Sequence, residues 1–298
     1  MRPELTQAVG LLRSNSPESV EQAIGLLQNT VYSFSMKVCG HREDAEDTMQ
    51  EVLYRSLGHL ARIDEPKALA VWLYTVTRNR CWRMRRSSTH RPKQISLDEL
   101  MPDDAELSRL LRDPAPGPET RVLHGEQHEL LRRAILRIPA QLRIVLVLHD
   151  MEDLGTEEVA QILNLQPGTV RVRLHRARLS VRKEIARVLE SSTSSERPHK
   201  LRRRRPAHSS SKRPAACREL FANLSEYLDG RVEPRTCAEM SAHIDACPNC
   251  VAFLRDLRTA IDRCRSLEVG CDPAVLERLR SALTREYLHM VNGPPLEK

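Results

Sequence analysis

Aromatic side chains are scarce in this 298-residue chain, at 3% of the total. Glycine is also sparse, with 11 residues. Sheets are built largely from β-branched and aromatic residues, so a β-rich fold is disfavoured and helices are expected. No apolar run approaches the ~18 residues of a membrane span. The opening stretch, MRPELTQAVGLLRSNSPESV, lacks the apolar core of a signal peptide, so a cytoplasmic location is expected, with no membrane partner. Cysteine is nearly absent from the first 216 residues, where only Cys39 and Cys81 occur. Six more fall between 217 and 271. Without an export signal, such a cluster reads as metal or redox chemistry rather than a disulfide framework. No Cys–His–acid set and no phosphate-binding glycine loop suggests an enzyme.

What is present is charge, unevenly placed. The net charge is +7, but residues 66–97 hold eight Lys/Arg and no acid. Residues 98–120 hold seven acids against two Arg, and residues 159–183 return to six Lys/Arg with no acid. Two basic blocks inside patterned sequence suggest two sites for a polyanion, with two solvated helix faces as the plainer reading.

Helical spacing organises the chain. Ser16 and Pro17 mark a helix start. Ala45, Met49, Val52, Leu53, Leu57 and Leu60 form an apolar stripe over 43–63, beside an acidic stripe of Asp44, Asp47 and Glu51. A third helix is predicted over 66–86, where Trp72, Tyr74 and Trp82 alternate with Arg78, Arg80, Arg83, Arg85 and Arg86. Arginine with aromatics suits unstacked single-stranded bases, although Trp72 also fits a core position. Proline and acids over 88–118 mark a linker. The Ser/Arg/Pro-rich stretch 191–216, with its Arg202–Arg205 run, predicts a disordered one.

Residues 156–178, TEEVAQILNLQPGTVRVRLHRAR, read as a helix-turn-helix. Thr156 is the expected N-cap, and Asn164 sits at the bend, where left-handed geometry is needed. In the second helix Val170, Leu174, Ala177 and Val181 share one face. Thr169, Arg171, Arg173, His175, Arg176 and Arg178 occupy the rest, which suits base edges and phosphates in a major groove.

In the tail, His243-x3-Cys247-x2-Cys250 places three metal-ligand types at helical spacing. A tetrahedral zinc site needs a fourth, which Cys217 or Cys237 could supply. Cys264 shares a stripe with Leu254, Leu257 and Ile261 and reads as core.

The segment IPAQLRIVLVLHDMEDLGTEEVAQILNLQPGTVRVRLHRAR resembles region 4 of extracytoplasmic-function (ECF) sigma factors of the sigma-70 family. REDAEDTMQEVLYRSL and WLYTVTRNRCWRMRR resemble region 2 of the same family. The tail, with Tyr227–Leu228–Asp229–Gly230 and His243-x3-Cys247-x2-Cys250, resembles the zinc-binding anti-sigma domain. The resemblance implies an all-α fold in five parts. Region 2 spans 1–88, a linker 89–118, region 4 119–190, a disordered basic linker 191–216 and a zinc-binding anti-sigma-like domain 217–290. It implies core RNA polymerase and promoter DNA as partners. Polymerase contact falls to Asp44, Glu46, Asp47, Gln50 and Glu51. DNA contact falls to Trp72, Arg78, Asn79, Arg80 and Arg83, and to Thr169, Arg171, Arg173, His175 and Arg176. Zinc falls to Cys217, His243, Cys247 and Cys250, since Cys217 matches the family's first ligand position. Many family members carry Asp where this chain has Arg83. The tail is then a fused regulator responding to metal or redox state, with an intramolecular contact to the sigma regions. The rival expectation is a stand-alone helix-turn-helix regulator with a metal or redox sensor.

Overall fold

The computed structural model describes residues 2–14, 16–60, 62–85, 97–112, 124–193 and 215–292. The side chains of Arg83 and Arg85, and all of Arg86 and most of the 191–216 linker, lie outside the described residues. Among the described residues every regular element is helical. None of those helices is long and apolar enough to cross a membrane. The chain forms two compact units, which do not follow chain order. The first draws on residues within 1–92, 139–170 and 267–298, the second on 93–138 and 171–266.

The first unit begins with α1 (Pro3–Ser14), α2 (Pro17–Cys39), α3 (Arg42–Leu60) and α4 (Pro66–Arg85). The Ser16 hydroxyl accepts from the Ser19 amide at 3.2 Å, so α2 starts where Ser16–Pro17 predicts. Sixteen of the 23 residues of α2 are buried, which makes it the central helix rather than a half-exposed one. Residues 139–170 add α8 (Ala140–Leu146), a π-helical turn (Val147–Met151) and α9 (Thr156–Leu163). The π turn is closed by the Glu152 amide on the Val147 carbonyl at 2.9 Å. Asp153 follows with φ of 56°. Glu152 is thereby turned into the interior. Its carboxylate accepts from Lys37 Nζ at 2.9 Å and from the Tyr74 hydroxyl at 2.7 Å, and pairs with Arg2 Nε at 2.9 Å.

The last helix of the chain, α14 (Pro273–Asn292), packs on α2 and α3 in this unit. Gln28 donates to the Leu276 carbonyl at 3.1 Å, and Arg42 reaches Asp272 at 3.2 Å. A Cβ on Gly25 would stand 3.2 Å from the Arg280 guanidinium, so glycine permits the close approach of the two helices.

The second unit holds α5 (Leu97–Leu100), α6 (Asp104–Arg112), α7 (His124–Arg137), most of α10 (Pro167–Thr193), α11 (Ala215–Leu228), α12 (Pro234–Ala246) and α13 (Pro248–Arg265). Its core joins Cys217, Leu220, Phe221 and Leu224 of α11 to Phe253, Leu254 and Leu257 of α13. Leu100 and Leu107 belong to the same core. The segment read as linker therefore contains helical, buried residues. Cys264 is fully buried, as its stripe suggests.

Candidate nucleic-acid interface and metal centre

The α9–α10 pair forms around a tight turn. Asn164 adopts φ 53°, ψ 55°, and the Leu165 amide closes on the Ala160 carbonyl at 2.9 Å. This is a Schellman closure, in which Asn tolerates the left-handed residue. The N-cap of α9 is Gly155, one residue before the expected Thr156. Thr156 instead enters the helix as its first residue, with its side chain buried rather than turned back to cap it. Val170, Leu174, Ala177 and Val181 are all buried, as their shared face requires.

The polar face of α10 is divided. Thr169, Arg171 and Arg176 are exposed, and Arg173 is half-buried. His175 is only 8% exposed. Its Nδ1 lies 3.1 Å from the Ser225 hydroxyl, and Nε2 is buried with no hydrogen-bond partner among the described residues. Burial and the charges of Arg178 and Arg176 lower its pKa to about 4, so the ring is neutral here. Arg178 is sealed, with a side chain 1% exposed. It donates to Asp229 at 2.7 and 3.1 Å and to the Ser225 carbonyl at 3.2 Å. Arg171 lies 3.5 Å from Glu226. One turn further on, Arg182 pairs with Glu106 and Asp256 at 2.6 and 2.9 Å and stacks over Phe253.

On α4, Asn79 is exposed and Trp72 is half-buried against the His59 ring. Arg78 donates to the Ile162 carbonyl at 2.7 Å and lies over Trp82, and Arg80 pairs with Glu51 at 2.6 Å. Tyr74 is not on the exposed face; it is buried on Glu152. On α3, Asp47 and Gln50 are exposed and Asp44 is half-buried. Glu46 pairs with Arg42, and Glu51 pairs with Arg55 as well as Arg80. Asp47, Gln50 and Glu51 line a groove of about 530 Å³ whose opposite wall is Leu279, Ala282, Leu283 and Glu286 of α14.

The metal candidates converge. Cys217 of α11, His243 of α12, and Cys247 and Cys250 at the start of α13 place one donor atom each within 4.8 Å of one another. Cys217 Sγ lies 3.8 Å from Cys250 Sγ and 3.3 Å from His243 Nε2. Bonds of about 2.3 Å to sulfur in a tetrahedron imply sulfur–sulfur edges of about 3.8 Å, so the donors fit zinc. Cys237 is outside this group. Burial, with the Cys247 and Cys217 sulfurs nearby, pushes the Cys250 thiol up, so a bound ion must displace protons.

Family comparisons match these three places. Sigma-70 region 2 covers residues 24–91, and Sigma-70 region 4 covers 128–181. A zinc-finger family covers 217–250. In two separate segments the chain is similar to the sigma-70 family. It is 25% identical over 187 residues to the ECF RNA polymerase sigma factor SigW of Bacillus subtilis, covering 62% of this chain and 98% of SigW. It is 28% identical over 138 residues to the ECF sigma-E factor of Escherichia coli K12, covering 46% and 72%. It is 31% identical over 170 residues to the probable sigma factor RfaY of Xanthomonas campestris pv. campestris. That match spans 55% of this chain and 41% of RfaY.

The region 2 match covers much of α2 with all of α3 and α4, and the region 4 match runs from α7 into α10. The fused zinc-finger segment supplies α11, α12 and the first turn of α13. Sequence reasoning singled out both exposed residues of these faces, such as Asn79, Thr169 and Arg176, and ones the fold buries, such as His175, but not the residues that hold them. Arg178 was grouped with the DNA-facing side chains, and its Asp229 partner was legible only as part of a motif. Lys37 and Glu152 gave no signal, because a lone charge in a patterned helix reads as solvated.

Proposed function

We propose that this chain directs promoter recognition and transcription initiation as a dissociable subunit of bacterial RNA polymerase in the cytoplasm. The carboxylates and Gln50 of α3 meet a basic surface on core polymerase. Charge complementarity of this kind sets orientation and partner choice. Asn79, Trp72 and the arginines of α4 hold the unstacked promoter strand, and Thr169, Arg171, Arg173, His175 and Arg176 of α10 meet the upstream duplex. The chain carries no nucleotidyl-transfer chemistry of its own. Cys217, His243, Cys247 and Cys250 hold zinc. That ion cross-links the three helices of the tail and makes their fold dependent on deprotonated thiols.

The tail regulates this activity. The observation that carries this reading is the groove in the first unit. Its polymerase-facing wall of Asp47, Gln50 and Glu51 is faced by Leu279 and Leu283 of α14. A helix in that position competes with any partner that needs the same carboxylates.

The test is binding of core polymerase to the full chain and to Leu283→Asp. Leu283 is buried, so a carboxylate there loosens α14 from α3. The expected result is binding by both, about tenfold tighter for the variant, a shift of about 1.4 kcal/mol. Equal affinities would remove α14 as a competitor. Absence of binding by either would remove the sigma-factor reading.

A further inference from the structure

The contacts between α10 and α11, both within the second unit, have a consistent chemistry. Arg171, His175 and Arg178 stand at i, i+4 and i+7 and so form one stripe of α10. Ser225, Glu226 and Asp229 stand at i, i+1 and i+4 on the edge of α11 and the turn after it. Every member of the first stripe meets an oxygen of the second. The strongest pair is the fork of Arg178 on the Asp229 carboxylate at 2.7 and 3.1 Å, with the Ser225 carbonyl as a third acceptor. Bidentate carboxylate and bidentate phosphate present the same geometry to a guanidinium.

We infer that the Ser225–Glu226–Asp229 edge of α11 occupies the place of a DNA backbone on α10, so that the closed tail and duplex DNA exclude each other. This rests on the reading of α10 as the duplex-binding helix and adds a residue-level mechanism to its regulation. The three contacts are unequal. Arg178 is out of solvent, and its guanidinium is engaged by Asp229 and the Ser225 carbonyl. A duplex cannot use this guanidinium until Asp229 leaves. Arg171–Glu226 is an exposed pair at 3.5 Å, which weighs little for stability but removes a cation from the surface facing a polyanion. His175 is held neutral against Ser225 and so contributes no charge to phosphate binding in this state. Arg173 and Arg176 lie off the stripe. Arg176 is exposed and Arg173 half-buried, so they are the cations that can make first contact with a duplex before α11 is displaced.

The experiment uses the full, zinc-loaded chain and a fluorescent random-sequence duplex of about 30 base pairs at about 0.1 M salt, read by anisotropy. Glu226→Gln/Asp229→Asn removes the acidic edge while keeping its shape. Glu233→Gln/Glu239→Gln makes the same charge change at exposed sites on and beside α12, and controls for net charge. The expected result is duplex affinity about tenfold higher for the first variant and within about twofold of the parent for the second. Adding Arg173→Ala/Arg176→Ala to the first variant is expected to abolish the gain. A gain no larger than the control overturns the inference. The duplex reading of α10 then still stands if Arg173→Ala/Arg176→Ala weakens the residual binding. A gain that survives loss of both arginines overturns the inference and that reading together. Hydrogen exchange on the unaltered chain gives an independent check that needs no variant to fold. Saturating duplex is expected to speed amide exchange over residues 220–230, and unchanged protection there overturns the inference.

Discussion

Glu152→Gln is expected to cost the first unit about 3–5 kcal/mol of stability, measured by urea unfolding. Glu152 is 1% exposed and serves two buried donors at once. Lys37, also 1% exposed, donates at 2.9 Å, and Tyr74 donates at 2.7 Å. Burial, together with the nearby Arg2 charge, lowers the Lys37 pKa, and the Glu152 charge works against that shift. Burial and the same charge push the Tyr74 phenol well up, so it stays a donor across the working pH range. Glutamine keeps the volume but removes the charge, which leaves Lys37 either charged and uncompensated or deprotonated. The companion Lys37→Met/Glu152→Gln removes both charges of the buried pair and should recover much of the loss, since the remaining cation, Arg2, is partly exposed and still donates to the Met151 carbonyl. A loss below about 1 kcal/mol for Glu152→Gln would mean that water reaches the cluster.

The second large effect is expected at the metal centre. Cys250→Ala should lower zinc affinity by more than about a hundredfold and loosen the second unit. Cys250 is a ligand candidate and a member of the apolar core that includes Phe221, Phe253 and Leu257. One substitution therefore removes a thiolate from the donor set and a packed side chain from the core. Zinc stoichiometry by elemental analysis, with hydrogen exchange over α11 and α13, reads both effects. Cys237→Ala is the matched control and should keep its zinc, because Cys237 stands outside the donor group. The assignment of ligands fails if the two variants lose zinc equally.

The elements were legible where local chemistry decides them. Ser16 and Pro17 start α2 because a hydroxyl and a preset φ satisfy a helix N-terminus whatever surrounds it. Asn164 marks the turn because few other residues accept φ 53°. The metal donors were legible because their spacing itself is the chemistry. Partnerships at long range were not legible. Glu152 finds Lys37 115 residues away and Tyr74 78 residues away, and no window of periodicity reaches that far. The segment around Leu100 and Leu107 read as linker because its acids and prolines outweigh a few leucines, yet those leucines complete the core of the second unit. The amphipathic pattern of α14 specifies a helix and a buried face but not α2 and α3 as its partners. Thr156 misses its capping role by one residue: its side chain is buried in the fold, a tertiary placement that composition does not encode.

The most direct measurement of the central claim is transcription in vitro with core RNA polymerase and DNA selected from a random promoter library in the presence of the full chain. The expected result is transcripts that start at a discrete site and depend on the chain, and that are lost when Asn79 on α4, or Arg173 and Arg176 on α10, are replaced by alanine. Transcripts identical with and without the chain would contradict it.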